Sequence, residues 1–279
     1  MSNNDKNSNS DLEDGPLGGA LSATELVLDL LATHDHRQLS VAALCYAGQL
    51  FGMRAQNVRV ALNRLQRKGR VTNPERGLYR LDTATRGLFG EVENWLRREQ
   101  RVRDWNGGWV AVLDTAVPRR DKTAWRHHER ALALRGFRLL GDTGLRLRPD
   151  NLSGGVDGLR KDLARLGLAE EARVFAVGEL SSADEKRARR LWDCPALKQQ
   201  YRQMTRQLAA SHKTLSRRPE TDAATESLQL GRAAIRLILL DPLLPDTLID
   251  NRPRHRLIER MGAYQREAKV IWMRLLDQV

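Results

Sequence analysis

Between Trp109 and Val177 the chain alternates strand-length and helix-length apolar patterns, and that order limits the architectures open to it more than any other feature. Trp109-Val110-Ala111-Val112-Leu113 is an apolar strand run, and residues 122–134 have helical spacing closed by Gly136. Residues 137–140 and 145–147 read as strands around the turn Gly141-Asp142-Thr143-Gly144. Residues 156–166 read as a second helix and 173–177 as a last strand. The resulting β-α-β-β-α-β order predicts a ferredoxin-like sandwich over residues 107–180 and places the chain in the α+β class.

The flanking sequence has other patterns. At about 150 residues per domain, 279 residues make about two domains, with room for three small ones. Residues 1–20 are polar, lack an apolar signal core and are expected to be a disordered tail. From Leu21 the periods are helical and short. Ser22 precedes a helix whose apolar side is Leu26, Leu28, Leu30 and Leu31. Ser40 is positioned to N-cap VAALCYAGQLF, with Gly52 just beyond its end. A third helix over 54–68 stops at Gly69. Residues 70–72 and 78–81 then flank the turn Asn73-Pro74-Glu75-Arg76-Gly77, which predicts a hairpin. Residues 21–85 form the first domain in this reading, and 86–106 a linker with a charged helix near 91–103. Residues 181–279 form a C-terminal helical domain with helices at 184–192, 195–215, 228–239 and 254–276. Within it, Asp241-Pro242-Leu243-Leu244-Pro245 stops one helix, because proline cannot continue it.

Several function classes find no support. No uncharged apolar run approaches the roughly 18 residues of a bilayer span. Cys45 and Cys194 form no CxxC pair, which argues against a zinc finger or a disulfide framework and fits a cytoplasmic location. There is no GxxxxGK, GxGxxG or GxSxG motif, and His127-His128 is not HExxH. The sequence therefore predicts no cofactor, no metal and no enzyme. What it has is charge: 47 Lys and Arg stand against 35 Asp and Glu, a formal net of +12. Such an excess favours a polyanionic partner.

The cations are concentrated. From Arg54 to Arg103 there are 13 Lys/Arg and 5 Asp/Glu. Within RAQNVRVALNRLQRKGR, Val58, Ala61, Leu62 and Leu65 fall at i, i+3, i+4 and i+7 and share a buried face. The other side presents Arg54, Gln56, Asn57, Arg59, Asn63, Arg64, Arg67 and Lys68. Arg can bond guanine bidentately, Asn and Gln can bond adenine, and the remaining cations suit phosphates. A basic helix face alone is usually just a solvated face. Here a preceding helix, a turn and a following hairpin with Arg76 at its tip complete a winged helix-turn-helix order. The expected DNA-binding residues are those eight and Arg76.

The sequence also resembles the phenylacetic-acid degradation repressor (PaaX) family of bacterial transcriptional regulators. The resemblance runs through VRVALNRLQRKGRV, through Asp104-Trp105-Asn106-Gly107-Gly108-Trp109 with Arg130 and Arg135-Gly136-Phe137, and through LWDCPALKQQYRQM. It is most specific in Arg236-Leu237-Ile238-Leu239-Leu240-Asp241-Pro242-Leu243-Leu244-Pro245 with Leu248-Ile249. It implies a winged helix on operator DNA, a Cas2-like ferredoxin fold, a C-terminal effector and dimerisation domain, and release from DNA by an aryl-CoA thioester. The family's residues after DPLLP are replaced by Asn251-Arg252-Pro253-Arg254, which bears on the effector more than on DNA.

Other constellations carry weaker expectations. Trp105, Trp109 and Trp192 suit an aryl pocket, with Arg126 of the basic stretch 119–130 as a partner for CoA-like phosphates. Against this, such tryptophans commonly pack a core. Asp241 is read as a turn cap. Asp114, at the end of the first strand, is the residue a competing reading would need, a Cas2-like metal-dependent nuclease. Tyr264, Ala268, Ile271, Trp272 and Leu275 make a stripe suited to a dimer seam or to docking on the chain's own domain. The expected protein is a homodimeric repressor of double-stranded operator DNA.

Overall fold

A computed structural model of the chain describes residues 21–82 and 88–279. The expected N-terminal tail and linker residues 83–87 lie outside the described residues. The fold mixes helices with two small antiparallel sheets, the α+β class. Contacts divide it into two compact units, one of residues up to Glu93 with Thr205–Ala234 and Glu259–Val279, the other of Asn94–Met204 and Ile235–Ile258. The segment 181–279, read from the sequence as one helical domain, is thus shared between the two.

The first unit begins with α1 (Ala23–Thr33), β1 (Gln38–Ser40), α2 (Val41–Leu50), α3 (Ala55–Arg67), β2 (Val71–Glu75), β3 (Leu78–Leu81) and α4 (Leu88–Glu93). Ser22 caps α1 in a reciprocal box with Glu25, and the Ser40 hydroxyl accepts from the Ala43 N–H at 2.9 Å. The buried side of α1 is Leu26, Val27, Leu30 and Leu31. Val27 stands where the sequence reading put Leu28, since about 100° per residue carries position 28 off the stripe. The sheet has order β1-β3-β2, with Leu39 opposite Tyr79 and Glu75 opposite Leu78.

Parts of three later helices belong to this unit: residues 205–214 of α8 (Cys194–Thr214), 220–234 of α9 (Glu220–Leu239) and 259–277 of α10 (Arg252–Asp277). Arg232 on α9 pairs with Glu25 at 2.9 Å and with Asp29, and Lys269 on α10 pairs with Asp35. Trp272 stacks on Phe51 with ring centroids 6.4 Å apart, and the hydroxyls of Tyr264 and Ser211 lie 2.8 Å apart. The stripe on α10 therefore docks on its own unit, the second of the two alternatives left by the sequence.

The second unit is built on β4 (Trp109–Leu113), α5 (Lys122–Leu134), β5 (Arg138–Leu139), β6 (Leu145–Pro149), α6 (Gly155–Leu166) and β7 (Arg173–Val177). Strand order is β5-β6-β4-β7, all neighbours antiparallel. Val110, Ala111 and Val112 are fully buried in the central strand, with Leu132 and Leu163 from the helices. Each such Leu contributes about 1.5–3 kcal/mol by leaving water. A short helix, α7 (Ser182–Ala188), follows.

The expected linker helix is broken. After α4 come single 3₁₀ turns at Trp95–Arg97 and Glu99–Arg101. Arg98 is buried there and donates to the carbonyls of Leu134 and Asp241 at 3.3 and 3.0 Å, tertiary bonds that fix the backbone of this segment. The DPLLP segment is itself buried. The Asp241 carboxylate accepts the Leu243 N–H at 2.6 Å, the turn role expected of it. The amides of Asn151 and Asn251 donate to the Leu243 and Leu244 carbonyls at 2.7 and 2.9 Å. A Cβ on Gly136 would sit 2.6 Å from the Cα of Pro242, so only glycine permits that approach. Nearby Arg148 is buried; that burial and the guanidinium groups of Arg135, Arg98 and Arg101 push it down to about 9, which leaves it charged at pH 7.

Candidate nucleic-acid interface

Helix α3 is oriented by its apolar side. Val58, Ala61, Leu62 and Leu65 are buried, and α1 and α2 pack against them. Gly52 and Gly69, with φ of 71° and 62°, supply the left-handed turns at its two ends. After Gly69 the Arg70 N–H closes on the Leu65 carbonyl at 2.9 Å, and the chain enters β2. Strands β2 and β3 meet at a tight turn of Arg76 and Gly77, where φ is 80°. The Val41 N–H at the start of α2 donates to the Gly77 carbonyl at 2.8 Å, which ties the hairpin tip to the helical body.

The side chains singled out by the sequence share one exposed side. Gln56, Asn57, Arg59, Asn63, Arg64 and Arg67 project from α3, Arg54 and Lys68 flank it, and Arg76 is exposed at the hairpin tip. Among the described residues, none of the six cations in this set forms an ion pair. The sequence 54–80 holds eight Lys or Arg and one carboxylate, Glu75. Mutual repulsion of unpaired cations destabilises the free protein slightly and is relieved by an anionic partner. Two features escaped the sequence reading. Strand β1 pairs with β3, where Arg80 donates to Gln38 at 2.7 and 3.1 Å. Val60 stands 53% exposed on α3 amid the polar side chains.

Three of the second unit's tryptophans, the three singled out by the sequence, come together. Trp109 stacks on Trp192 at 6.3 Å, and Trp105 meets Trp109 edge-on at 5.2 Å. Their ring nitrogens donate to Glu185, the Gly136 carbonyl and the Gly108 carbonyl respectively for Trp109, Trp192 and Trp105. Trp109 and Trp192 are buried against each other, as core aromatics are. Arg126 is exposed on α5 and shares no bond or ring contact with them.

Asp114 belongs to a buried network. Its carboxylate accepts from the Arg146 Nε at 2.7 Å and lies 3.2 Å from the His128 Nε2. The Ala169 N–H donates to the His128 Nδ1 at 3.2 Å, which puts the ring proton on Nε2, facing Asp114. Arg146 also reaches Glu129 at 2.5 Å. Burial alone would raise the Asp114 carboxyl, but the bonds from His128 and Arg146 outweigh it and hold the group below its usual range. Asp114, His128 and Glu129 have ligand atoms within 4.8 Å of one another. The position a metal would take between the two carboxylates is served by the Arg146 guanidinium, and the His128 nitrogen facing them carries its proton. The residues present do not fit a metal.

No family model matches the sequence, and no curated protein matches it. Among solved structures the fold is similar to that of uncharacterized protein Rv0674 from Mycobacterium tuberculosis, with a TM-score of 0.56 and 22% identity over 93% of this chain and 99% of that one. At that identity the likeness is one of fold. Among the described residues no helix is long and apolar enough to cross a membrane.

Proposed function

We propose that the chain is a sequence-specific DNA-binding transcriptional regulator, a repressor of the PaaX type. The observation that carries the reading is the exposed, unpaired cationic side of α3 opposite its buried apolar side. The order α1-β1-α2-α3-β2-β3 with strand order β1-β3-β2 suits a winged helix-turn-helix over 21–85, with α3 as recognition helix and the β2-β3 hairpin as wing. The strand order β5-β6-β4-β7 suits a ferredoxin-like, Cas2-like sandwich. In this reading Gln56, Asn57, Arg59, Asn63 and Arg64 contact bases, and Arg54, Arg67, Lys68 and Arg76 contact phosphates. A twofold homodimer matches a paired operator site, and an aryl-CoA effector releases it.

Fluorescence anisotropy with labelled duplexes tests the reading. Binding should be tight for a selected sequence and fall steeply with salt. Failure to retain any duplex at low salt would favour a protein partner instead. Calorimetry with phenylacetyl-CoA tests the effector: heat of binding and loss of DNA affinity are expected, and their absence rejects it.

The nuclease reading has one observation in its favour, the Asp114-His128-Glu129 cluster. Arg146 already pairs with both carboxylates, so we read it as an ion-pair network and assign no catalysis. Cleavage of labelled DNA with magnesium or manganese, abolished by Asp114→Ala, would reverse that assignment.

A further inference from the structure

We infer that Val60 is a base-reading residue, one that recognises the 5-methyl group of a thymine in the major groove. The inference rests on the DNA-binding reading above. Along α3 the buried residues are Val58, Ala61, Leu62 and Leu65. The line of residues farthest from them is Gln56, Val60, Asn63 and Arg67, at i, i+4, i+7 and i+11 on a helix of about 3.6 residues per turn. Asn57 and Arg64 flank this ridge on one side, and Arg59 on the other. Val60 is thus the one apolar member of the outermost ridge, at 53% exposure, with polar neighbours on every side.

Among the described residues nothing accounts for a valine there. A branched side chain loses rotamer freedom on a helix, and its methyl groups gain nothing from water. A second copy of the chain is a poor cover for it. Two such faces would bring Arg59, Arg64 and Arg67 against their own counterparts, a like-charge contact that costs free energy. Duplex DNA removes both objections. Its phosphates take the flanking cations, and its major groove offers one apolar feature, the thymine methyl, at the depth an outermost side chain reaches. Gln56 and Asn63, one turn to either side, carry the amides that pair with adenine. Val60 between them favours a step of A·T pairs.

The test uses the full-length chain. A duplex selected by the protein from a random library is resynthesised with each thymine replaced in turn by deoxyuridine, which deletes only the methyl group. Affinities are compared by anisotropy at fixed salt. For the unaltered protein at least one replacement should weaken binding about fourfold, the worth of one buried methyl. Val60→Ala should bind the thymine duplex more weakly and lose that discrimination. Val60→Thr keeps the shape and checks that the scaffold is intact by retaining the salt dependence. Equal binding of every deoxyuridine duplex, a penalty that persists in Val60→Ala, or a selected site without thymine overturns the inference while leaving DNA binding in place. If no duplex is enriched at all, the DNA-binding reading itself falls.

Discussion

Val58 lies so close to Gly48 that a Cβ on the glycine would meet the valine Cγ2 at 2.7 Å. That approach sets how α3 lies on α2, and so where the cationic side is held. Gly48→Val is expected to overpack this contact and destabilise the chain by roughly 1–3 kcal/mol. Val58→Ala in the same background should recover part of the loss. Urea unfolding of the single and double variants measures both, and additive effects would show that the two positions do not communicate.

Arg64→Ala should weaken binding to a selected duplex by about 1–3 kcal/mol and relax preference at one base pair, if the guanidinium grips a guanine. Lys68→Gln should weaken all duplexes alike and reduce the salt slope by about 1. Anisotropy titrations over a series of salt concentrations separate the two behaviours. An Arg64 variant with unchanged affinity removes that residue from base reading.

Asp29 and Asp114 should make stability respond to pH in opposite senses. Burial pushes Asp29 up to about 6 against the pull of Arg232. Its contribution is complete below the ordinary 3.8 and is lost as pH rises through about 6. Asp114 lies below 3.8, so its contribution is present above that value and is lost as pH falls through its folded pKa. Denaturant midpoints from about pH 3 to 7 should flatten between 4 and 6 in Asp29→Asn, and below 4 in Asp114→Asn.

Trp192 should behave as core. Its ring stacks on Trp109 and its indole N–H serves the Gly136 carbonyl at 3.1 Å. Trp192→Ala is expected to cost about 3–5 kcal/mol and Trp192→Phe about 1 kcal/mol, mainly the lost hydrogen bond. Thermal unfolding of the two variants ranks them; a near-neutral Trp192→Ala would mean that the stack carries little of the packing.

The β4–β7 half was readable because β4 is a continuous apolar run, β5 and β6 flank a glycine-bounded turn and the helices have clear stops, and the observed strands begin or end within a residue or two of the expected positions. Strand β1 was not, because Gln38-Leu39-Ser40 offers one apolar residue and no alternation. The first turns of α9, from Glu220, were missed for a similar reason: Ala223, Ala224 and Ser227 are buried there without a large side chain to mark the stripe. The linker looked helical because its charges are helix formers, while the bonds that break it come from carbonyls far along the chain. On α3 periodicity separated buried from exposed positions, but attention to charge passed over Val60, which the same wheel places at the crest.

The bond from the Val41 N–H to the Gly77 carbonyl tethers the hairpin tip through main chain alone. The side chain at 76 takes no part in holding that loop. Exchange of Arg76 for a shorter, neutral or oppositely charged residue should therefore change what the tip touches while its position stays put. Position 76 is accordingly a dial on which affinity can be retuned without rebuilding the scaffold beneath it.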